Sequence, residues 1–184
     1  MFARTPRLTL RPGWPEDAAV LTNAIAHEAV AFKLATLPWP YSVDHAAEWL
    51  KRPQGRRDLT LLIMAHEGPS PRLIGAIGIH PDAVKGGHEI GYWLTPNAWG
   101  RGYATEAGRA MLGIACHAMG LKRLRSGYFI DNPASGRVLA KLGFHTTGVE
   151  MRHCLALGID KPCATLELDL SEEGSCEDPE RMAA

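Results

Sequence analysis

The spacing of apolar and polar positions changes several times along the chain, and each change marks an element. Arg7-Leu8-Thr9-Leu10-Arg11 alternates with period two, as a half-buried strand does, and Pro12-Gly13 ends it. Pro15-Glu16-Asp17 then opens an Ala-rich stretch expected to be helical to about Phe32, with its acids in the first turn. Residues 36–40 read as a connector holding Pro and Trp, after which Ser42 caps a short helix containing Ala46, Trp49 and Leu50. The apolar runs 58–66 and 72–80 bracket Gly68-Pro69-Ser70-Pro71 and predict an antiparallel pair of strands. Gly86-Gly87 introduces a third run over 88–94.

The period then lengthens. Positions 104, 107, 108, 111, 112, 115, 118 and 119 form one small or apolar stripe at helical spacing, so a helix over 103–119 packs one face on a sheet, and Gly120 stops it. A strand over 121–130, a helix over 134–142 and strands over 144–152 and 164–170 complete the pattern. Strands first and β-α-β alternation afterwards predict a mixed-sheet α/β or α+β domain.

Composition changes this picture little. With 46% hydrophobic and 22% charged residues in 184, whole-chain disorder is excluded and one domain is expected, over 1–170. Residues 171–184 hold five acids against Arg181, a net −4, and are expected to be a mobile tail. No apolar run approaches the roughly 18 residues of a membrane helix, and the first residues lack the apolar core of a secretory signal, so no membrane partner and a cytoplasmic location are expected. A formal net charge of zero argues against a general nucleic-acid binder. It also conceals a segment, 101–141, with seven bases against two acids, a net +5. Cys116, Cys154, Cys163 and Cys176 show no C-x-x-C spacing, and with His145 and His153 they match no zinc pattern, so no metal is expected.

The chemistry concentrates where Trp93-Leu94 ends a strand and Trp99-Gly100-Arg101-Gly102-Tyr103-Ala104-Thr105 enters a helix. The first turn of a helix carries unpaired N–H groups and the positive end of the dipole, and glycines let backbone approach a ligand closely. Arg101 adds a charge, so the segment suits a phosphate or pyrophosphate. A dinucleotide fingerprint would need Gly or Ala where Thr105 stands, and no Gly-Lys-Ser/Thr follows as a Walker loop requires.

This segment resembles the acyl-CoA-binding motif of the GNAT N-acetyltransferases, Gln/Arg-x-x-Gly-x-Gly/Ala, here Trp99-x-x-Gly102-x-Ala104 with a departure at the first position. Trp-Gly-Arg-Gly-Tyr-Ala-Thr-Glu-Ala is similar to the RimJ/RimL-like branch of ribosomal-protein N-terminal acetyltransferases. Asn132-Pro133-Ala134-Ser135 with Lys141-Leu142-Gly143-Phe144 resembles the family's second motif, and residues 5–12 and 37–41 resemble the same branch. The resemblance implies a central, mixed, mostly antiparallel twisted sheet of about seven strands flanked by about four helices. It implies acetyl-CoA as cosubstrate and a primary amine as acceptor, either a protein N-terminus or a small molecule, and it admits a homodimer. Backbone groups of Trp93 and Leu94 would lie nearest the thioester, and Trp99, Gly100, Arg101, Gly102, Tyr103, Ala104 and Thr105 would hold the pyrophosphate. Asn132 and Ser135 would face the cofactor, with Arg137 or Lys141 reaching outer phosphates.

The same resemblance implies catalytic roles. Glu89, at the start of its strand, stands where several family members place a catalytic glutamate; Glu150 and His80, polar residues at strand ends outside that match, are secondary candidates. The Tyr that many members use to protonate the thiolate is Leu139 here, and Ser135 is the hydroxyl available to the sulfur. Residues 34–41 and 152–162 would line the acceptor pocket. Two further functions fit the same residues: a CoA-binding sensor without efficient catalysis, and an interaction protein whose basic face meets an acidic partner.

Overall fold

A computed structural model describes residues 1–171 apart from 56, 69 and 83; the acidic tail from 172 onward lies outside the described residues. The strands are β1 (Ala3–Arg4), β2 (Leu8–Arg11), β3 (Leu59–Ala65), β4 (Arg72–Pro81) and β5 (His88–Leu94). They continue with β6 (Arg123–Phe129), β7 (His145–Cys154) and β8 (Ile159–Asp169). All eight form one sheet in the order β1-β2-β3-β4-β5-β6-β8-β7, antiparallel except for the β5–β6 pair. The expected mixed, mostly antiparallel sheet is therefore present, with the two-residue β1 as its additional strand.

Five helices flank it: α1 (Ala18–Ile25), α2 (Glu28–Ala31), α3 (Val43–Leu50), α4 (Tyr103–Gly113) and α5 (Pro133–Lys141). The single helix expected up to Phe32 is broken into α1 and α2 because its stripe loses phase. Leu21, Ala24 and Ile25 are buried, the next position on that face is Glu28, and burial resumes at Val30 and Ala31. The chain turns between them at Ala26 (φ −73°, ψ 64°) and an extended His27. The helix expected to reach Met119 continues past α4 as a π-turn over Ile114–Ala118.

The last strand begins five residues earlier than its apolar run suggests. Residues 159–163 contain Pro162, but that residue's O accepts from Ile130 N–H, so its nitrogen faces the end of β6, beyond the last ladder pair Phe129–Cys163.

Each face of the sheet has its own core. On one, Ala104, Ala107 and Met111 of α4 and Leu139 of α5 pack on Leu61, Ile63, Ile77, Ile90 and Leu124. α4 and α5 approach so closely that a Cβ at Gly108 would lie 2.5 Å from Leu142. On the other face, Leu21, Ala24 and Ala46 of α1 and α3 cover Leu62, Leu73, Ala76 and Trp93. That cover ends at the Ala76–Trp93 rung. Cys154 and Cys163 are buried free thiols beside Phe129.

Candidate active site

The sheet opens between its two parallel strands. β4 and β5 pair from Pro81–His88 to Gly75–Leu94, whereas β5 and β6 pair only at Glu89–Arg125. Alternate residues of an antiparallel strand face the same neighbour. Thr95 N–H donates to Ile74 O at 2.8 Å, so the register turns Glu89, Gly91 and Trp93 toward β4 and leaves the N–H and C=O of Ile90, Tyr92 and Leu94 facing β6. Ser126 Oγ donates to Ile90 O at 2.9 Å, consistent with this phase, and beyond that tie the strands part. Of the two backbone positions expected at the thioester, Leu94 thus presents its N–H to the gap, while Trp93 spends its own on β4.

The loop that follows is locally determined. Trp99 Nε1 donates to Leu94 O at 2.8 Å, so the Trp at the motif's departed position closes the loop rather than reaching outward with a polar group. Gly100 (φ 74°) and Gly102 (φ 80°) both lie in the left-handed region that glycine adopts without strain. Gly102 is the N-cap of α4, and the N–H groups of 102–105 precede the first intrahelical bond, from Glu106 N–H to Gly102 O at 3.0 Å. Tyr103 and Ala104 turn their side chains into the core, which leaves the backbone of these residues for a ligand.

The loop is braced from behind. Glu106 accepts from Thr5 Oγ1 (2.6 Å), from Arg7 N–H (3.0 Å) and from Arg7 Nε (2.7 Å), and Arg7 Nη1 donates to Arg101 O at 3.0 Å. Burial pushes the Glu106 carboxyl up, but the Thr5 and Arg7 hydrogen bonds prevail and hold it below the usual range. Arg101 itself pairs with Glu67 (3.0 Å), which offsets part of the charge expected at the loop.

Across the gap, the Asn132 side chain caps α5 by accepting from Ser135 N–H at 3.4 Å. Ser135 Oγ shares a 2.8 Å hydrogen bond with Tyr92 OH, which also donates to Ser135 O at 3.2 Å. Tyr92 therefore spans the opening from β5 to α5. Burial pushes its phenol up to about 12 against the opposing Ser135 hydrogen bond, so it stays protonated at neutral pH. Leu139 is fully buried, so the second-motif position where the resemblance would expect Tyr is core here. Arg137 and Lys141 are exposed along α5, with Lys141 in its last turn, away from Asn132. The basic segment is not one patch, since Arg125 pairs with Glu167 on the other face of the sheet.

That other face holds the candidate bases. Arg152 reaches from β7 to Glu89 on β5, donating from Nη1 to Oε1 (2.7 Å) and from Nη2 to Oε2 (3.3 Å), and to Glu150 Oε1 at 3.0 Å. It passes over Gly127 of β6, where a Cβ would lie 3.4 Å from Nη1. Burial draws the Arg152 guanidinium's pKa down, but the two glutamates outweigh it and raise it. Glu150 also pairs with Lys85, whose hydrogen bond is the main reason its carboxyl is held low. His80, paired with Glu89 in the ladder, bonds through Nδ1 to Asp58 Oδ1 at 2.7 Å. The expected pocket wall contains Trp39, edge-on to Phe32 at 6.2 Å, and Tyr41, 5.5 Å from His45. Lys33 and Lys161 tie α2 and β8 to Asp131.

The motifs contain Arg7 and Glu106 and the expected pocket wall contains Arg152, but nothing in them disclosed the partners of these residues or a role for Tyr92 or Asp58, because each acts through a partner distant in sequence. Loop N–H groups beside an open strand edge fit a cosubstrate with a pyrophosphate and an extended amide-bearing arm, since both ends find unused backbone donors. Among the described residues no group of three or more His, Cys, Asp or Glu is placed to hold a metal, and no helix is long and apolar enough to cross a membrane.

Comparison with known proteins agrees with this geometry. The profile of the acetyltransferase (GNAT) domain matches residues 7–145. An uncharacterized N-acetyltransferase, YoaA of Bacillus subtilis, is 42% identical over 78 residues, 42% of this chain and 44% of its own, so that match spans under half of the relative's length. An uncharacterized N-acetyltransferase, p20 of Bacillus licheniformis, is 30% identical over 151 residues, 79% of this chain and 83% of its own. Among solved structures, Mycobacterium smegmatis RimJ in complex with CoA-disulfide superposes with a TM-score of 0.70 at 21% identity, covering 91% of this chain and 86% of that one.

Proposed function

The chain belongs to the acetyltransferase (GNAT) family, and from that premise we propose that it transfers an acetyl group from acetyl-CoA directly to a primary amine, without a covalent enzyme intermediate. The observation that carries this reading is the opening between β5 and β6, with backbone donors at Leu94 on its strand edge and at 102–105 at its mouth. When bound, acetyl-CoA supplies the activated acyl group. The first turn of α4 would take the pyrophosphate, with Trp99, Gly100, Arg101 and Gly102 shaping the approach. Leu94 N–H would hold the thioester oxygen as charge develops on it, in a site that costs no reorganisation. Asn132 would fix the start of α5 beside the arm, and Lys141 or Arg137 would meet outer phosphates. Ser135, oriented by Tyr92, would donate to the sulfur. Glu89 belongs to the catalytic proposal as a carboxylate beside the acceptor path, although Arg152 occupies both its oxygens.

The acceptor is an unhindered amine, a peptide N-terminus in the RimJ/RimL-like reading or a small molecule otherwise, and the reaction belongs in the cytoplasm. An α-amine near 7.7–8.0 is roughly a tenth neutral at pH 7 and asks little of a base. Calorimetry tests the first step: CoA binds and a nicotinamide dinucleotide does not. The reverse result would refute the assignment. Thiol release from acetyl-CoA over a panel of peptides and amines tests the second. The fully buried Leu139, standing where a proton donor is common, favours the alternative of a CoA sensor. Turnover with any amine of the panel would exclude it.

A further inference from the structure

On the face opposite α4, the rung after Ala76–Trp93 is Gly78–Gly91, and the next is His80–Glu89. The first of these rungs is covered by α1 and α3. The glycine rung is covered on one side only: Gly78 is buried, whereas Gly91 is exposed and a Cβ built on it would meet nothing within 4 Å. The place of a side chain at Gly78 is filled by the His80 ring and Thr60, so the open ground lies over Gly91, one rung from Trp93 and bordering the opening.

The rung below supplies two titratable groups, which lean in different directions. Both oxygens of Glu89 are held by Arg152, whose path over Gly127 draws the carboxylate toward β6. The His80 ring leans the other way, along its own strand. A Cβ at Gly78 would lie 2.5 Å from His80 Nε2, so the imidazole edge rests on the glycine, about 7 Å up the strand from its own position. Asp58 accepts from Nδ1 at 2.7 Å, which leaves Nε2 as the proton acceptor. The Thr60 hydroxyl donates a long hydrogen bond, 3.4 Å, to Nε2, the contact an arriving ammonium would replace.

We propose that His80, oriented by Asp58, is the group that takes the proton from the acceptor amine, and that the open ground over Gly91, beside the His80 ring, is where a primary amine descends onto the sheet. This rests on the acetyl-transfer reading above. The amine arrives as an ammonium ion and gives one proton to Nε2, which later passes it to water. The neutral nitrogen forms the N–C bond as the C–S bond breaks, and the second proton leaves the nitrogen for the departing sulfur. One ammonium and one thioester thus yield one amide, one thiol and one proton. An imidazole nitrogen both takes up and gives up a proton and so suits this step, and an acceptor as basic as lysine, neutral in only about one molecule in a few thousand at pH 7, depends on it most. Asp58 acts through the ring and is a positioning residue. The charged groups facing His80 are Asp58 from the start of β3 and Glu89 from β5, with Arg152 behind Glu89.

The test uses His80→Gln and Asp58→Asn in the full chain, with glycinamide as a weakly basic probe amine and propylamine as a strongly basic one. CoA affinity by calorimetry comes first, and its absence in the unaltered protein would refute the acetyl-transfer reading rather than this one. With CoA bound, His80→Gln should lower thiol release to propylamine by about 10²-fold and to glycinamide by less, with CoA affinity within about 2-fold. Raising the pH or adding free imidazole should restore part of the rate. Asp58→Asn should fall between, with its rate limb shifted in pH. Equal rates and an unchanged pH profile in His80→Gln would overturn the proposal. The His80 imidazole resonance, assigned by its loss in His80→Gln, is read independently of turnover. It should move when propylamine is added to the CoA complex, and a resonance that stays in place overturns the proposal even if neither amine is acetylated.

Discussion

Replacing Arg152 by Met removes a side chain that crosses from β7 to β5 while keeping most of its apolar length. Three contacts are lost, at 2.7 and 3.3 Å to Glu89 and at 3.0 Å to Glu150. The Arg152 and Glu89 side chains are 26% and 29% exposed, so the pair is neither fully solvated nor fully buried. At an effective dielectric of about 20, a charge pair at about 4 Å gains roughly 4 kcal/mol, and desolvation cancels much of that. Lys85 still partners Glu150 in the variant. The net loss should be about 2 kcal/mol, or about 4–8 °C in Tm for a chain of this size. Denaturant unfolding followed by circular dichroism measures it. The loss should also depend on pH in a definite direction. A carboxyl held low, as Lys85 and Arg152 hold Glu150, contributes stability above its unfolded value of about 4.5, and that stability disappears as the pH falls through the depressed value. The part of the gap that Arg152 contributes through Glu150 should be full at neutral pH and shrink on acidification below about 4.5. A neutral-pH difference under about 0.5 kcal/mol, or one that does not shrink in acid, would refute the reasoning.

Gly102→Val should weaken CoA binding at least about 10-fold by calorimetry, because φ of 80° is strained for a β-branched residue and its methyls would crowd the loop donors; unchanged affinity would put the pyrophosphate elsewhere. Tyr92→Phe should leave CoA affinity nearly intact but raise the pKa of the bound thiol by about half to one unit, read from thiolate absorbance, since one hydrogen bond of about 1 kcal/mol no longer orients Ser135. An unshifted thiol would remove Tyr92 from the mechanism. Glu106→Gln should cost about 1–3 kcal/mol at neutral pH in denaturant unfolding, a cost that fades as acid protonates the native carboxyl, whose pKa is depressed.

Features encoded within a few neighbouring residues are legible in the chain as a string of letters. The period-two runs are strands, Gly100 and Gly102 take the left-handed conformations that glycine at a helix entry suggests, and Asn132 opens α5 as its cap. Even at this local level the pattern predicts one helix where two exist, because Glu28 interrupts the buried stripe without a Gly or Pro to mark the break. The site is legible as a set of motifs but not as a geometry. Trp93 and Leu94 read alike in sequence, and only the β4 register decides that Leu94 turns its N–H to the gap. The resemblance likewise puts Glu89 ahead of His80 as a base, and only the tertiary contacts show that Arg152 occupies Glu89.

The chain by itself thus determined most of its elements, its glycine-bearing loop and the family they resemble, because periodicity, capping and positive φ act over one or two turns of backbone. Tertiary structure decided which groups meet. Tyr92 reaches Ser135 across 43 residues, Arg152 reaches Glu89 across 63, and Arg7 reaches Glu106 across 99. Those encounters follow from the strand order and from the opening of β5 away from β6. Both are set by how two cores pack on opposite faces of one sheet, a balance to which distant residues contribute together and no local pattern records.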